Sequence, residues 1–322
     1  MSYKIYLPIL IFALIALKKT FLIPVPTPQN PSFFLSNQSQ IDLKRSLLKS
    51  IQNASKNIFI SVYTLTDPDI IDALNRKAKN ELPISLIVDK KQVLSLKKKL
   101  SNKIKLSSIK QRGLMHQKVF IFDETTYMGS SNLTTSSLRM HDNLMLGIYD
   151  VQFANKLEAA LKNQENKSYL IKQDEFEFYT LPSSVALNRI LSLIENAKES
   201  IYVAMFTFTH PKIFQALELA HKRGIKVCVI LDYLSQKGAS KKIAELLRGS
   251  SIKTMHNRGM QMMHHKFALI DNSILIMGST NWTQSAFEKN RDDLVVLPKL
   301  DKSEQKFVFN LWKNLLWESK EI

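Results

Sequence analysis

The chain has one cysteine, Cys228, and only eight glycines in 322 residues. A single thiol excludes an internal disulfide framework and any cysteine-based zinc cluster. So few glycines argue against a Gly-rich phosphate-binding loop and against a linker-rich or collagen-like chain. Four of the histidines, His141, His210, His221 and His256, lack the His-x3-His or carboxylate-linked spacing of a metal site, so no metal is expected. Acidic residues are scarce: 28 Asp and Glu face 45 Lys and Arg, leaving a formal charge of +17 and a pI near 9.7. Such a field draws polyanions, whether nucleic acid, anionic lipid surfaces or phosphorylated substrates. The 45% hydrophobic content is that of a packed core, which excludes bulk disorder, and the length suits two ordinary domains.

Residues 5–17 form an uncharged apolar run interrupted by Pro8, with Lys4 before it and Lys18 and Lys19 behind. As a helix this run rises roughly 20 Å, short of a ~30 Å hydrocarbon core. The length and the leading charge fit a secretory signal, and Phe21, Leu22 and Ile23 can extend it into a retained anchor. The expectation is a membrane-associated or exported protein. The proline-rich stretch at 24–28 reads as an extended linker, so residues 1–28 form a targeting segment and linker.

Beyond it, the chain is written twice. The apolar stretch at 58–66 resembles that at 201–209, and the run ending in Asp89 resembles that ending in Asp232, both at an offset of 143. Met115-His-Gln-Lys-Val-Phe-Ile-Phe-Asp123 matches Met263-His-His-Lys-Phe-Ala-Leu-Ile-Asp271, and Gly129-Ser-Ser-Asn132 matches Gly278-Ser-Thr-Asn281. A period of roughly 145 residues means a duplicated domain and not a short-period solenoid. Within each copy, helical periodicity (41–54 and 67–79; 186–197 and 211–223) alternates with short apolar strands. These strands lack clean in–out alternation, as expected when both sheet faces are covered. Each copy is therefore an α/β layer domain with a parallel or mixed sheet, and 143–149 and 294–297 read as its last strand. A closing helix is expected at 307–317.

Both copies carry His-x-Lys, four residues, Asp, then Gly-Ser-x-Asn after five or six more. On a strand, alternate side chains share a face, so His116 and Lys118 point one way, as do His264 and Lys266. His265 then faces away and reads as structural. The glycine allows a tight backbone turn, while Ser and Asn offer neutral donors. One His, Lys and Asn from each copy would together cage a single anionic, tetrahedral group.

This doubled pattern resembles the phospholipase D superfamily, over nearly everything from about residue 38 to the C-terminus. The resemblance implies two similar α/β/α sandwich domains from an internal duplication, with the active site at their interface. The corresponding boundaries are 38–162 for the first repeat, 163–181 for a connecting segment and 182–322 for the second. It further implies a metal-independent, cofactor-free, two-step phosphodiester exchange through a phosphohistidine. Carried onto this chain, His116 is the nucleophile and His264 the general acid. Lys118, Lys266, Asn132 and Asn281 hold the phosphoryl oxygens, with Ser130 and Ser279 in support. Asp123 and Asp271 complete the motif; at strand ends, they suit pairing with local backbone better than direct chemistry. The family's histidine-orienting carboxylate, about ten residues past the Asn, falls on Asp142 and Asp292, with Glu288 and Asp293 nearby. Which histidine attacks comes from the resemblance; the duplicated sequence is symmetric and leaves it open.

From Lys90 to Lys118 there are ten basic residues and no acidic one, leading into the first His-bearing strand. Such a run is either a solvated face or a means of drawing phosphate-rich substrate inward. Met255, Met260, Met262 and Met263 with Trp282 and Phe287 suit an irregular core, with an acyl-chain groove as the alternative. The expected partner is an anionic phosphodiester, phospholipid ahead of nucleic acid. The expected activity is a phospholipase D-type phosphodiesterase or phosphatidyltransferase, with a nuclease and a cardiolipin synthase-type transferase as alternatives. If both motifs form one site, His116→Ala and His264→Ala each abolish nearly all turnover, and the double variant is little worse. Additive losses in a steady-state assay would mean two independent sites.

Overall fold

A computed structural model of the protein describes residues 23–39, 42–109, 112–163, 168–258 and 261–322. The apolar run at 5–17 lies outside them. Among the described residues no helix is long and apolar enough to cross a membrane.

The first repeat builds a seven-stranded sheet from β1 (Ser32–Leu35), β2 (Ile58–Val62), β3 (Ile84–Val88), β4 (Lys105–Ser107), β5 (Lys118–Phe122), β6 (Thr125–Gly129) and β7 (Met145–Tyr149). Their order is β1-β7-β6-β5-β2-β3-β4. β2, β3 and β4 run parallel, while β5, β6, β7 and β1 join by antiparallel pairing. The second repeat supplies β8 (Leu170–Lys172), β9 (Glu177–Thr180), β10 (Ser200–Met205), β11 (Lys226–Leu231), β12 (Lys253–Asn257), β13 (Lys266–Ile270), β14 (Ile274–Gly278), β15 (Asp293–Leu297) and β16 (Ser319–Glu321). They order as β16-β12-β11-β10-β13-β14-β15-β9-β8, repeating the first plan with an added strand beyond each edge. The duplication read from the sequence is thus a duplication of mixed sheets.

Helices cover both sheets because their sequences carry apolar stripes and clear start signals. In the first repeat these are α1 (Leu43–Asn53), α2 (Pro68–Lys79), α3 (Val93–Lys97), α4 (Thr135–Arg139) and α5 (Val151–Lys162). In the second they are α6 (Ser184–Glu195), α7 (Pro211–Lys222), α8 (Tyr233–Lys237), α9 (Lys241–Gly249), α10 (Gln284–Glu288) and α11 (Lys302–Trp317). Asp42, Asp67, Asp150 and Ser183 accept backbone N–H bonds at four of the helix starts, and Asp301 with Glu304 forms a capping box at α11. The outer faces form one apolar core per repeat, Leu47, Ile60 and Phe120 in the first, Ile190, Val203 and Trp282 in the second. A third core joins the inner faces of both sheets to α5 and α11, among them Val119, Leu146, Phe153, Phe267 and Trp312. β2, β5, β6 and β15 are buried at every position, which explains their missing alternation. Cys228 is buried in β11. Met255, Met263, Trp282 and Phe287 are all core residues, so they line no acyl groove.

Two boundaries move. The expected connecting segment at 163–181 contributes β8 and β9 to the second sheet, with Thr180 opposite Asp293. Its counterpart β1 sits ahead of the expected repeat start and pairs with β7, Leu35 opposite Met145. Strands of three or four residues are too short to show a period; the neighbouring edge stabilises them.

The motif aspartates are structural. Asp123 and Asp271 close the β5–β6 and β13–β14 turns with φ of 53° and 51°, a left-handed conformation that Asp tolerates better than most residues. The Asp123 carboxylate accepts the backbone N–H groups of Ser55, Lys56 and Asn57 at 2.8–3.0 Å. That of Asp271 accepts those of Lys198, Glu199 and Ser200. Each ties the hairpin to the segment entering the central strand, at the opposite end of β5 or β13 from the motif lysine. Asp123→Ala and Asp271→Ala are each expected to cost about 1–3 kcal/mol in denaturant unfolding. Turnover per folded molecule should hold; its loss at unchanged stability would contradict this role.

Candidate active site

β2 and β10 run toward one end of the molecule, and β5 and β13 start there, so both motifs open at the same end. Backbone bridges join the repeats at this end. His116 N–H donates to Arg291 O at 2.7 Å, and His264 N–H donates to Asp142 O at 2.9 Å. Asp89 and Asp232, at the ends of β3 and β11, accept the N–H groups of Met115 and Met263 (3.2 Å each) and hold the chain just ahead of each histidine.

Each imidazole is oriented by the other repeat. His116 Nδ1 lies 2.6 Å from Asp292 Oδ1, and His264 Nδ1 lies 3.0 Å from Asn143 Oδ1. The Asn143 amide nitrogen donates to Ser137 O (2.8 Å), which leaves its oxygen for the imidazole. Nδ1 of His264 therefore carries the proton, and Nε2 is the free nitrogen. The same follows for His116 against its carboxylate. Asp292 has the orienting role expected of it, but Asp142 does not. The residue at the equivalent spacing, eleven past its Asn, is Asn143. Asp142 precedes it on the chain; its burial and the nearby Glu318 charge push its carboxyl up to about 7.

Ser130 and Ser279 are committed elsewhere than expected. Their hydroxyls donate to Asn143 Oδ1 (2.8 Å) and Asp292 Oδ1 (3.0 Å) and accept the N–H groups of Leu144 and Asp293. Both are buried, so they position the orienting residues and not a phosphate. Gly129 and Gly278 permit this packing: a Cβ at either would lie 2.2 Å from Leu144 O or 2.4 Å from Asp293 O.

Lys118 and Lys266 are buried, and each donates one Nζ–H to the carbonyl of its own motif histidine, at 2.8 and 2.9 Å. Neither has a carboxylate within 4.0 Å among the described residues. Burial lowers both, Lys118 to about 8 and Lys266 well below its ordinary value, with the Lys118 charge adding to the effect on Lys266. Burial and then the Lys118 charge also lower His116, against the opposing pull of Asp292. His264 falls well below its ordinary value through burial and the charges of Lys266, Lys118 and His116. The two half-sites feel one another, as groups around one cage must. Two desolvated ammonium groups without counter-ions make a site that an anion stabilises.

Asn281 Oδ1 accepts Thr207 N–H (3.2 Å), just past the end of β10. The Asn132 amide oxygen is buried with no partner among the described groups. His265 is buried facing the other way, 3.2 Å from Gln38 Oε1, as strand alternation requires. Sequence reasoning passed over two aromatic walls. Tyr63 lies 5.2 Å from the His116 ring, and Phe206 lies 5.0 Å from the His264 ring with Lys266 Nζ 4.9 Å from its centroid. They match at the offset of 143, so the repeat itself carried the signal. Asp293, pushed up to about 6 by burial, accepts the N–H groups of Lys118 and Ser279 and has only Leu144 as its counterpart.

Fold and site together define a class: duplicated α/β proteins whose two His-x-Lys halves close on a single cage. The family described as "Cardiolipin synthase, PLD-like domain" has a model that matches residues 47–164 and 190–310, and the chain belongs to this phospholipase D-like family. A curated relative, "Mitochondrial cardiolipin hydrolase" of Mus musculus, is 36% identical over 117 residues, 36% of this chain and 52% of that protein. "Phospholipase D" of Rickettsia felis is 30% identical over 132 residues, 41% of this chain and 65% of that one. The chain spans about half the length of the first of these relatives. Phosphatidylserine synthase of Haemophilus influenzae shares the fold, with a TM-score of 0.72 at 13% identity over 91% of this chain and 87% of that one.

The pH dependence follows from these environments. kcat/KM should have its acid limb below 6.5, where His116 gains its proton. Asp292 raises the His116 pKa, so Asp292→Asn moves the acid limb to lower pH and cuts kcat by roughly 10²–10⁴. An unmoved limb in the pH–rate profile would remove Asp292 from this role.

Proposed function

We propose that the protein is a phospholipase D-type enzyme that exchanges the headgroup of phospholipid phosphodiesters through a phosphohistidine, with His116 as nucleophile and His264 as general acid. The observation that carries the assignment is the asymmetry of the orienting pair, a carboxylate behind His116 and a neutral amide behind His264. An anionic partner strengthens Nε2 as a nucleophile and stabilises the cationic ring formed when it bonds phosphorus. A neutral partner fixes the tautomer without holding the proton tightly, which suits a group that must give it up.

In the first step His116 Nε2 bonds phosphorus, the phosphorus–oxygen bond to the leaving alcohol breaks, and His264 Nε2–H protonates that oxygen. In the second, His264 removes a proton from water or an acceptor alcohol, whose oxygen bonds phosphorus as the nitrogen–phosphorus bond breaks. Lys118, Lys266, Asn132 and Asn281 hold the equatorial oxygens, whose growing charge they stabilise; losing one such donor typically costs about 10²–10³ in rate. An empty site lowers the His264 pKa, and a bound phosphodiester offsets the two lysine charges and raises it again.

Lipid as substrate is supported by the relatives, which carry the names cardiolipin hydrolase and phospholipase D. A second reading, a nuclease, is favoured by the charge of +17 and the basic run from Lys90 to Lys118. A retained apolar segment at 5–17 would keep the enzyme at a membrane. The full chain is to be offered phosphatidylcholine and phosphatidylglycerol in detergent micelles, and single-stranded DNA, each with and without ethanol. Released headgroup, phosphatidylethanol or diphospholipid is the expected result, and an acid-labile phosphoryl adduct should form on His116. DNA cleaved with lipid untouched would transfer the reading to the nuclease.

A further inference from the structure

The end of the molecule that carries the histidines is also ringed by exposed apolar side chains. Leu94 in the first turn of α3 is 78% exposed, and Leu234 in the first turn of α8 is 68% exposed. These helices follow Asp89 and Asp232, the two residues that hold the chain ahead of His116 and His264, so each repeat contributes one leucine at the histidine end. Leu114 is exposed two residues before His116. Met140 is exposed beside His141, whose ring lies 6.1 Å from that of His264. Trp317, 78% exposed, ends α11 at the same level, because Ser319 pairs with Asn257 at the histidine end of β12. Glu318 links to His265 through Gln38, which ties this corner to the second motif. Half of the large exposed apolar side chains of the described residues therefore lie on this one end.

Each has a basic neighbour. Lys90 and Lys91 precede Leu94, Arg112 precedes Leu114, Arg139 precedes Met140, Lys237 follows Leu234 and Lys320 follows Trp317, all exposed. Single exposed apolar residues are ordinary on a protein surface. A ring of them around a catalytic mouth, interleaved with cations, has the chemistry of a surface that enters a headgroup layer. Trp favours that depth, with its ring in the apolar boundary and its N–H toward water.

Resting on the lipid reading above, we infer that this rim docks the open mouth flat on an anionic phospholipid bilayer, with Leu94, Leu234 and Trp317 in the acyl boundary and the lysines and arginines on the headgroups. A lipid phosphodiester then reaches the buried lysines without leaving its leaflet. The cationic interleaving favours a bilayer over a second copy of this chain, which would bring like charges together.

Trp317 is its own reporter, since the other two tryptophans, Trp282 and Trp312, are buried. The full chain is mixed with vesicles of brominated phosphatidylcholine, alone or equimolar with phosphatidylglycerol, and tryptophan emission is followed. The expected result is quenching on the anionic vesicles, weak quenching on the neutral ones and none in Trp317→Phe. Leu94→Ser combined with Leu234→Ser should weaken the titration roughly ten-fold or more, with circular dichroism and turnover of bis(p-nitrophenyl) phosphate unchanged. Co-sedimentation with unquenched Trp317 would mean that another segment holds the vesicle, and would overturn the docking. Equal quenching on neutral vesicles, or an unshifted titration of the double variant, would overturn it as well. Quenching requires no turnover, whereas the substrate reading fails on lipid left uncleaved in micelles, so the two fail separately.

Discussion

The exchange of orienting groups between the repeats governs everything else in this molecule. His116 takes its partner from a residue 176 positions later, and His264 from one 121 positions earlier. Neither repeat alone completes its own imidazole. The inner core shared by both sheets therefore has a chemical purpose as well as a stabilising one: it sets two strand ends against each other to within hydrogen-bond tolerance. The backbone bridges from His116 to Arg291 and from Asp142 to His264 hold that alignment from the main chain, where side-chain motion cannot undo it.

Around this exchange the site is assembled from groups that would be costly anywhere else. Two lysines are buried with carbonyls as their hydrogen-bond partners, and both imidazoles lie in the field they create. The cage thus holds an energetic deficit that an anion of tetrahedral shape makes good, and burial with the same field disfavours the charged form of both histidines. The serines, glycines and aspartates of the motif serve this arrangement indirectly. Ser130 and Ser279 clamp the orienting side chains, Gly129 and Gly278 let the next strand approach, and Asp123 and Asp271 fasten the far ends of the hairpins.

Duplication supplies the geometry, and divergence makes the two half-sites unlike. Two copies of one half-site give matching cages of donors, yet a symmetric pair of histidines would leave nucleophile and acid undefined. One difference, amide at Asn143 against carboxylate at Asp292, separates the two environments. Asp293, with Leu144 as its counterpart, adds a second difference on the same side by holding Lys118 N–H and Ser279 N–H.

The amino-acid sequence by itself determined the repeat, the α/β character, the helices at 43–53, 68–79, 184–195 and 211–222 to within a few residues, and the common face of each His–Lys pair. All of these depend on local periodicity, which a single strand or helix expresses without its neighbours. The edge strands β1 and β9 were not legible, because a strand of four residues exists only through the edge it pairs with. Tertiary structure alone decided that Asn143 and not Asp142 meets His264, that the motif serines face the orienting residues, and that Tyr63 and Phe206 wall the cage. Those contacts join segments from 13 to 121 residues apart or differ by one step of strand alternation, and the packing of two sheets, not any local pattern, selects between them.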